Sequence, residues 1–388
     1  AWSPAQRHVE TGLCLAGTLA RFWELHGHLE EGRQWLAQAL AVGEAASAEL
    51  RAKGLQGAGA LAYTQGDYAA ARAHFEQNLS LSCALGDRYG IADAQGNLGR
   101  TILRQGDYAT ATALLEASLA LHTELGHKLG IANVQFTLGV IALRQGDYGV
   151  ARARFETSLA LNRDLANKEG IANALEELVT VLGEQGDVGE QTALLDESLA
   201  LYRELGDRSG VATVLGHRGM AAWARGDLDR APALLEESLA LYRSVGDRRG
   251  IARLLGNQSL VAFYQGDYAR TAALCRESLT ACWKAGDTWA VARYLPILAG
   301  AAFAQGQPER AARLFGAAAA LRERHGTAMP PVVRPGYDRT VAALRATLGE
   351  ACFDAEWSAG SAMSAEAAIA CALADAEPVA DRDPIPAG

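Results

Sequence analysis

Histidines, cysteines, carboxylates and glycines are the residues of this 388-residue chain whose spacing could do chemistry. Gly-Asp stands at 66, 86, 106, 146, 186, 206, 226, 246, 266 and 286, all on one twenty-residue grid. A carboxylate could ligate a metal or act as acid or base, but a site is needed once and this one recurs at every step. His26 and His28 flank Gly27, and His122 and His127 lie five apart. Two imidazoles begin a metal site, yet it needs further ligands at fitting distances, and no Cys, Asp or His nearby in sequence supplies them. These histidines are expected to be exposed or capping. Gly54, Gly57 and Gly59 form a loose glycine cluster, but inside a helical segment rather than between a strand and a helix. Neither G-x-x-x-x-G-K-[ST] nor any Gly-Lys pair occurs, so no phosphate-binding loop is present. No G-x-S-x-G elbow occurs either. The expectation is a chain without catalytic residues, cofactor or metal.

The six cysteines (Cys14, Cys83, Cys275, Cys282, Cys352 and Cys371) are scattered without a C-x-x-C and read as buried thiols of a reducing cytoplasm. On a helix, Cys275 and Cys282 stand roughly 10 Å apart along the axis, beyond disulfide reach. A net charge of -9 with no block of Lys or Arg argues against direct nucleic-acid or anionic-membrane binding. No run of 18 apolar residues occurs to span a membrane. The opening AWSPAQ lacks an initiating Met and a signal peptide, as expected of a cytoplasmic piece cut from something longer.

Glycine closes a helix in the left-handed conformation, and Asp, Asn or Ser caps the amides that open the next one. Each Gly-Asp pair therefore reads as a helix stop followed at once by a helix start, with Gly106 and Gly146 at positive φ. Weakened forms fill the gaps at Ala46-Ser47, Gly126-His127, Ala166-Asn167, Gly306-Gln307 and Gly326-Thr327. The segments between marks are long enough for helices of about 27 Å, and two kinds alternate. GIADAQGNLGRTILRQ carries Ile91, Leu98 and Ile102 on one stripe, and YATATALLEASLALHTEL carries Tyr108, Ala111, Leu115, Ser118 and Leu119. Neither helix can bury its apolar side alone, so forty-residue hairpins must stack. Pro232 and Pro296 lie inside predicted helices and are expected to bend or interrupt them.

At this point the residues resemble a known family. Gly99, Tyr108, Ala111, Leu115 and Ser118 have the offsets of the tetratricopeptide (TPR) signature, repeated at Gly59/Tyr68/Ala71/Phe75 and Gly139/Tyr148/Ala151/Phe155. The pattern weakens at Val179/Val188/Gln191 and Ser259/Thr271/Cys275. The period of forty exceeds the commoner 34, with the surplus at Asp87-Arg88-Tyr89-Gly90. The resemblance implies an all-α, right-handed TPR-like solenoid of seven repeats over residues 47–326, after an irregular hairpin over 1–46. Phe22, Trp23 and Trp35 give that hairpin a bulkier packing surface. After 326 the rhythm stops at TAMPPVVRPG, whose Pro330, Pro331 and Pro335 exclude a continuing helix. Helices are expected at 337–348, 350–358 and 364–374, within a helical cap over 327–375, followed by a Pro-rich linker over 376–388.

LARFWELHGHLEEGRQWLAQAL at the front and AARLFGAAAALRERHG with YDRTVAALRATLGEACFDAEW at the back resemble bacterial multidomain regulators. In those a STAND-type ATPase precedes a TPR array, often with a LuxR-type helix-turn-helix beyond it, as in AfsR-like regulators. Arrays of this style also resemble those of bacterial adenylate cyclases. The resemblance implies attached ATPase and DNA-binding domains in a parent chain, and a non-catalytic sensor or scaffold segment that binds a protein, a peptide or a small effector.

Positions that recur between repeats, such as Ala92, Ala132, Ala172, Ala212, Ala252 and Ala292 or the SLAL of the second helices, are packing positions. Positions that vary while sharing a face are free to recognise something. Opposite the Ile91/Leu98/Ile102 stripe these are Asp93, Asn97, Arg100 and Arg104. Later repeats place Asn133 and Arg144, then Asn173, Glu177 and Glu184, then His217, then Arg253 and Asn257, then Arg293. In TPR arrays the first helices line the concave channel, so by resemblance this set faces a groove, with Phe136, Trp223, Phe263 and Tyr264 beside it. Its alternation of positive, negative and positive charge is expected to suit an extended ligand, with carboxylate or phosphate at the arginines.

Overall fold

The structure is a computed structural model that describes residues 4–26, 28–43, 46–187, 189–227 and 229–374. Nineteen helices and no strand occur among the described residues. Gly27, Val188 and the expected linker 376–388 lie outside them. The chain divides into two compact units, residues 1–141 and 142–388, the division falling within the run of repeats. No helix among the described residues is long and apolar enough to cross a membrane.

The first unit opens with α1 (Pro4–His26) and α2 (Leu29–Val42). Trp23 is buried against them and α3 (Ala48–Gln65), while Phe22 and Trp35 remain about half exposed. The hairpins α3/α4 (Tyr68–Leu85) and α5 (Arg88–Gln105)/α6 (Tyr108–Glu124) follow, then α7 (Lys128–Gln145), whose last turn belongs to the second unit. The second unit continues with α8 (Tyr148–Asp164), α9 (Lys168–Gln185), α10 (Gln191–Leu205), α11 (Arg208–Ala224) and α12 (Arg230–Val245). Then come α13 (Arg248–Tyr264), α14 (Tyr268–Lys284), α15 (Thr288–Ala304) and α16 (Pro308–Arg324). The cap is α17 (Arg334–Leu348), α18 (Glu350–Ser361) and α19 (Ala365–Leu373), starting slightly earlier than expected because Pro335 opens α17 instead of preceding it.

The corners form as the Gly-Asp grid requires. Gly66 sits at φ 83°, the Asp67 amide returns to the Ala62 carbonyl at 2.9 Å, and Asp67 Oδ1 accepts from the Ala70 amide at 3.1 Å. The backward bond satisfies an orphan carbonyl of the finished helix and the cap an orphan amide of the new one. Gly106 and Gly146 take φ 88° and 81°. Hydrogen bonds from Thr110, side chain and amide, hold the Asp107 carboxyl below its ordinary range, as befits a permanently ionised cap. The corners after Gly186 and Gly226 depart from expectation, since α10 and α12 begin late, at Gln191 and Arg230. Asp187 Oδ1 accepts from the Gly189 amide instead, a glycine where a first turn would otherwise form.

That late start changes the reading of Pro232, which falls in the first turn of α12, where its missing amide had no helical acceptor to lose. Pro296 does lie inside α15, yet the helix continues through it. The carbonyl four residues back, on Ala292, receives Arg322 Nη1 at 3.5 Å in place of the missing amide.

Recurrence has physical causes at two further positions. Ser118, Ser238 and Ser278 are buried and donate to the carbonyls of Ala92, Ala212 and Ala252 at 2.7, 2.6 and 2.7 Å, stitching each second helix to its first. Glycine at the signature position lets the partner side chain lie on the backbone, as Phe75 does over Gly59 and Leu115 over Gly99. In the cap, Gly316 on α16 and Gly360 on α18 cross so closely that a Cβ on either would enter the other helix's backbone. The cysteines split: Cys275 and Cys282 are buried, their thiols pushed up to about 12 by burial, whereas Cys14, Cys83 and Cys352 are exposed, contrary to expectation.

Among the described residues Ala166, at φ 51°, is the non-glycine residue in the left-handed region. Ala166→Gly is expected to raise stability by about 0.5–1 kcal/mol, relief of the Cβ strain outweighing the entropy glycine adds to the unfolded chain. Thermal melts check this; an unchanged or lower midpoint would show that the corner carries no strain.

A candidate effector cavity in the second unit

Pro296 and its freed carbonyl mark the wall of a cavity of about 120 Å³ within the second unit. The last turn of α7, together with α8, α9, α13 and α15, supplies Arg144, Tyr148, Glu184, Asn257 and Trp289. The segment 327–333 and the start of α17 close it with Met329, Pro330 and Tyr337. The proline-rich run that ends the repeat rhythm is thus the cavity's lid, laid against the Gly146 and Gly186 corners through Ala328 and Val332.

The electrostatics are uneven. Glu184 is buried and pairs with Arg293 at 2.6 Å through Oε1, while its Oε2 is buried with no hydrogen-bond partner. Arg144 and Arg293 both lie over the Trp289 ring, at 5.2 and 5.5 Å. Arg322 stacks on Tyr337 at 5.2 Å and donates to its hydroxyl at 3.3 Å. Neither Arg144 nor Arg322 has a carboxylate partner among the described residues. Burial pushes the Tyr148 phenol up to about 12, with Glu184 adding to it, so this hydroxyl stays protonated as a donor. The cavity therefore offers two cations without anions and one carboxylate oxygen without a donor, in an aromatic lining.

The sequence-predicted set divides accordingly. Arg144, Glu184, Asn257 and Arg293 meet at the cavity. Asn173 accepts from the Tyr202 hydroxyl of its own hairpin at 2.9 Å, and Arg253 reaches Tyr242 at 3.3 Å and Glu176 at 3.7 Å on other repeats, so these side chains are engaged within the array. Glu177 is half-buried and also engaged. His217 is half-buried, and burial first, then the Arg253 and Arg293 cations, holds it neutral with a pKa of about 3. In the first unit Asn97 accepts from Arg100 at 3.3 Å, Arg100 lies over Tyr63 at 4.4 Å and Arg104 donates to the Tyr63 hydroxyl at 2.9 Å. Asn133 is exposed, and Asp93 faces His122, with Asp93 Oδ1 and His122 Nε2 3.5 Å apart. His122 is buried, not exposed or capping as its sequence context suggested. The expected alternation of open charge is cancelled in the second unit where Glu184 meets Arg293. Phe263 and Tyr264 line the cavity. Trp223 stacks on Tyr264 at 5.3 Å, and Phe136 belongs to the first unit. Trp289, Arg322 and Tyr337 were not anticipated; the one local signal was Pro296, which had to leave a carbonyl for something to claim.

A family model for the tetratricopeptide repeat matches residues 90–164 and 170–244. Together with the helical hairpins this makes the chain an all-α solenoid carrying tetratricopeptide repeats. Among solved structures it is similar to the Rap conjugation gene regulator of plasmid pLS20 in complex with the Phr* peptide, at 13% identity and a TM-score of 0.60, covering 71% of this chain and 74% of that one. A Rap protein complexed with competence and sporulation factor has a TM-score of 0.59 at 16% identity, over 69% of this chain and 74% of that one. Aspartyl phosphate phosphatase F from Bacillus subtilis has 0.58 at 11%, over 85% and 97%. At these identities the likeness is one of fold. Curated relatives named as HTH-type transcriptional regulators, from Mycobacterium bovis and Mycobacterium tuberculosis, are 43% identical over 60 residues, 16% of this chain. The match spans 7% of those relatives' length.

Two outcomes follow from the buried charges. Arg293→Gln strands Glu184 and is expected to destabilise the chain toward the lower end of the about 3–5 kcal/mol seen for broken buried pairs, since Arg293 is a quarter exposed. Glu184→Gln/Arg293→Gln together should recover part of that loss in urea melts. For His217, the unfolded chain takes up a proton below about pH 6.5 that the folded chain refuses until about 3. Stability therefore falls as pH drops through that window, by at most ~1.4 kcal/mol per pH unit for one such group. His217→Gln should flatten the difference between melts at pH 7.5 and pH 5; an unaltered slope would show that His217 titrates normally.

Proposed function

We propose that the second unit is a non-catalytic binding module for a peptide or small effector that carries a carboxylate beside an N–H group on an apolar body. One observation carries this: an aromatic cavity holding the carboxylate-free cations Arg144 and Arg322 and the donor-free Glu184 Oε2. An Arg fork binds a carboxylate in two parallel bonds, a buried acceptor is costly until it receives a donor, and Trp289, Phe263 and Tyr264 provide the apolar walls. Peptide complexes named for Rap neighbours support the peptide form of the reading. The 60-residue likeness to mycobacterial regulators supports the wider one, in which this segment is the cytoplasmic sensor of a larger transcriptional regulator with ATPase and DNA-binding domains. Binding would act by favouring one arrangement of the lid 327–333 over another, the only energetic handle a ligand has on such a switch.

Calorimetry with a library of short apolar peptides, each with a free and an amidated C-terminus, tests the proposal. Free-carboxylate forms are expected to bind, and Arg144→Gln/Arg322→Gln is expected to weaken them by at least tenfold with little change in helical content. Equal binding of amidated forms, or undiminished binding to the double variant, would remove the cavity from the recognition surface.

A further inference from the structure

Successive second helices bury a side chain four residues before the corner residue, at Ser82, His122, Asn162, Tyr202, Tyr242 and Cys282. The residue after the corner glycine caps the next helix, and it is Asp at 87, 207, 247 and 287 and Asn at 167. At Gly126 alone that residue is a histidine, and it coincides with the histidine of the buried series. Gly130 clears the space for the His122 ring, as Gly170 does for Asn162 and Gly210 for Tyr202. His122 Nδ1 and His127 Nδ1 lie 3.1 Å apart. On the far side of the His122 ring, Nε2 lies 3.5 Å from Asp93 Oδ1 on α5. Ligand atoms of the three residues all fall within 4.8 Å of one another.

We propose that His122 and His127 bind one borderline divalent cation of the Zn²⁺, Co²⁺ or Ni²⁺ class through their Nδ1 atoms, with Asp93 orienting His122 through Nε2–H. At metal–nitrogen bonds near 2.0–2.1 Å, two nitrogens on one ion stand about 3.0–3.4 Å apart, which is the spacing present. A carboxylate on the other ring nitrogen is the usual support of a metal-binding histidine, since it fixes the tautomer and raises the basicity of the ligating nitrogen. Imidazole with carboxylate suits these ions rather than Ca²⁺ or Mg²⁺, which take oxygen ligands. The remaining coordination positions go to water or to a donor brought by a partner. The departure from the capping rule supports the same conclusion. A repeat that gives up its cap carboxylate gives up local helix stability, and local rules are broken where a site requires it.

The test uses the whole chain after chelator treatment, titrated with Co²⁺ by absorbance and with Zn²⁺ by calorimetry. A single equivalent is expected, with a nitrogen and oxygen ligand-field spectrum. His122→Asn/His127→Asn gives this corner the Asn pair found at Asn162 and Asn167 one repeat later, so it is expected to keep its fold by circular dichroism while losing the ion. Asp93→Asn, which matches Asn133, is expected to weaken binding about 10- to 100-fold. Binding to the double variant equal to the parent chain, no binding to either, or a thiolate charge-transfer band placing the ion on Cys14, Cys83 or Cys352 would each overturn the proposal; the second of these leaves the two rings joined by a hydrogen bond.

Discussion

Among the described residues most corners turn on one residue held at positive φ, as at Gly66, where the next residue, Asp67, both returns its amide five positions back and caps the following helix. This corner fixes the length of every helix and so the register in which neighbouring hairpins meet. Because the register is fixed, the serine of one helix faces the alanine carbonyl of the other again and again, as Ser118 does Ala92 and Ser278 does Ala252. Each such bond contributes only about 1 kcal/mol net. Losing the register would instead leave buried hydroxyls and carbonyls unpaired across a whole hairpin, which is the larger penalty.

The glycine three residues after positions 127, 167, 207 and 247 has a different role. Gly130, Gly170, Gly210 and Gly250 have ordinary helical backbones and are there for space. The side chain they accommodate varies in chemistry because it is buried between the next first helix and the first helix of its own hairpin, which supplies polar partners. Tyr202 finds Asn173 and Glu176, Tyr242 finds Thr213 and Arg253, and His122 finds Asp93 and His127. One backbone rule thus supports different polar clusters from repeat to repeat.

The fold was legible because its signals are local: the glycine of each Gly-Asp pair takes the same left-handed helix stop, and apolar spacing reports its own helix. The departures were local too, Gly189 delaying α10 and Ala166 accepting a strained φ. The cavity was only half legible. Arg144, Glu184, Asn257 and Arg293 of the first-helix face line the cavity, but nothing local says that Glu184 and Arg293, 109 positions apart (293 − 184), will form a pair. The lid was hidden for the opposite reason, since TAMPPVV is recognisable only as something that is not a helix. His122 was misjudged because the third member of its cluster, Asp93, comes from another helix.

Pro296 shows how the repeats and the cap become one object within the second unit. A proline in a helix interior ordinarily costs about 3 kcal/mol, through the lost bond and the ring's clash with the carbonyl four residues back. Here that carbonyl, on Ala292, turns to Arg322, and Arg322 in turn carries Tyr337 on its face and hydroxyl. Ala318 stands where Ser118, Ser238 and Ser278 make their stitching bonds in other repeats, so the usual partner for this carbonyl is absent from the sequence. An arginine that both satisfies the repeat's orphan carbonyl and holds the first helix of the cap ties the geometry of α15 to the position of α17. Any ligand that draws the Arg322 guanidinium toward itself must take it from one of these two partners, which is the physical route by which an occupied cavity would move the cap.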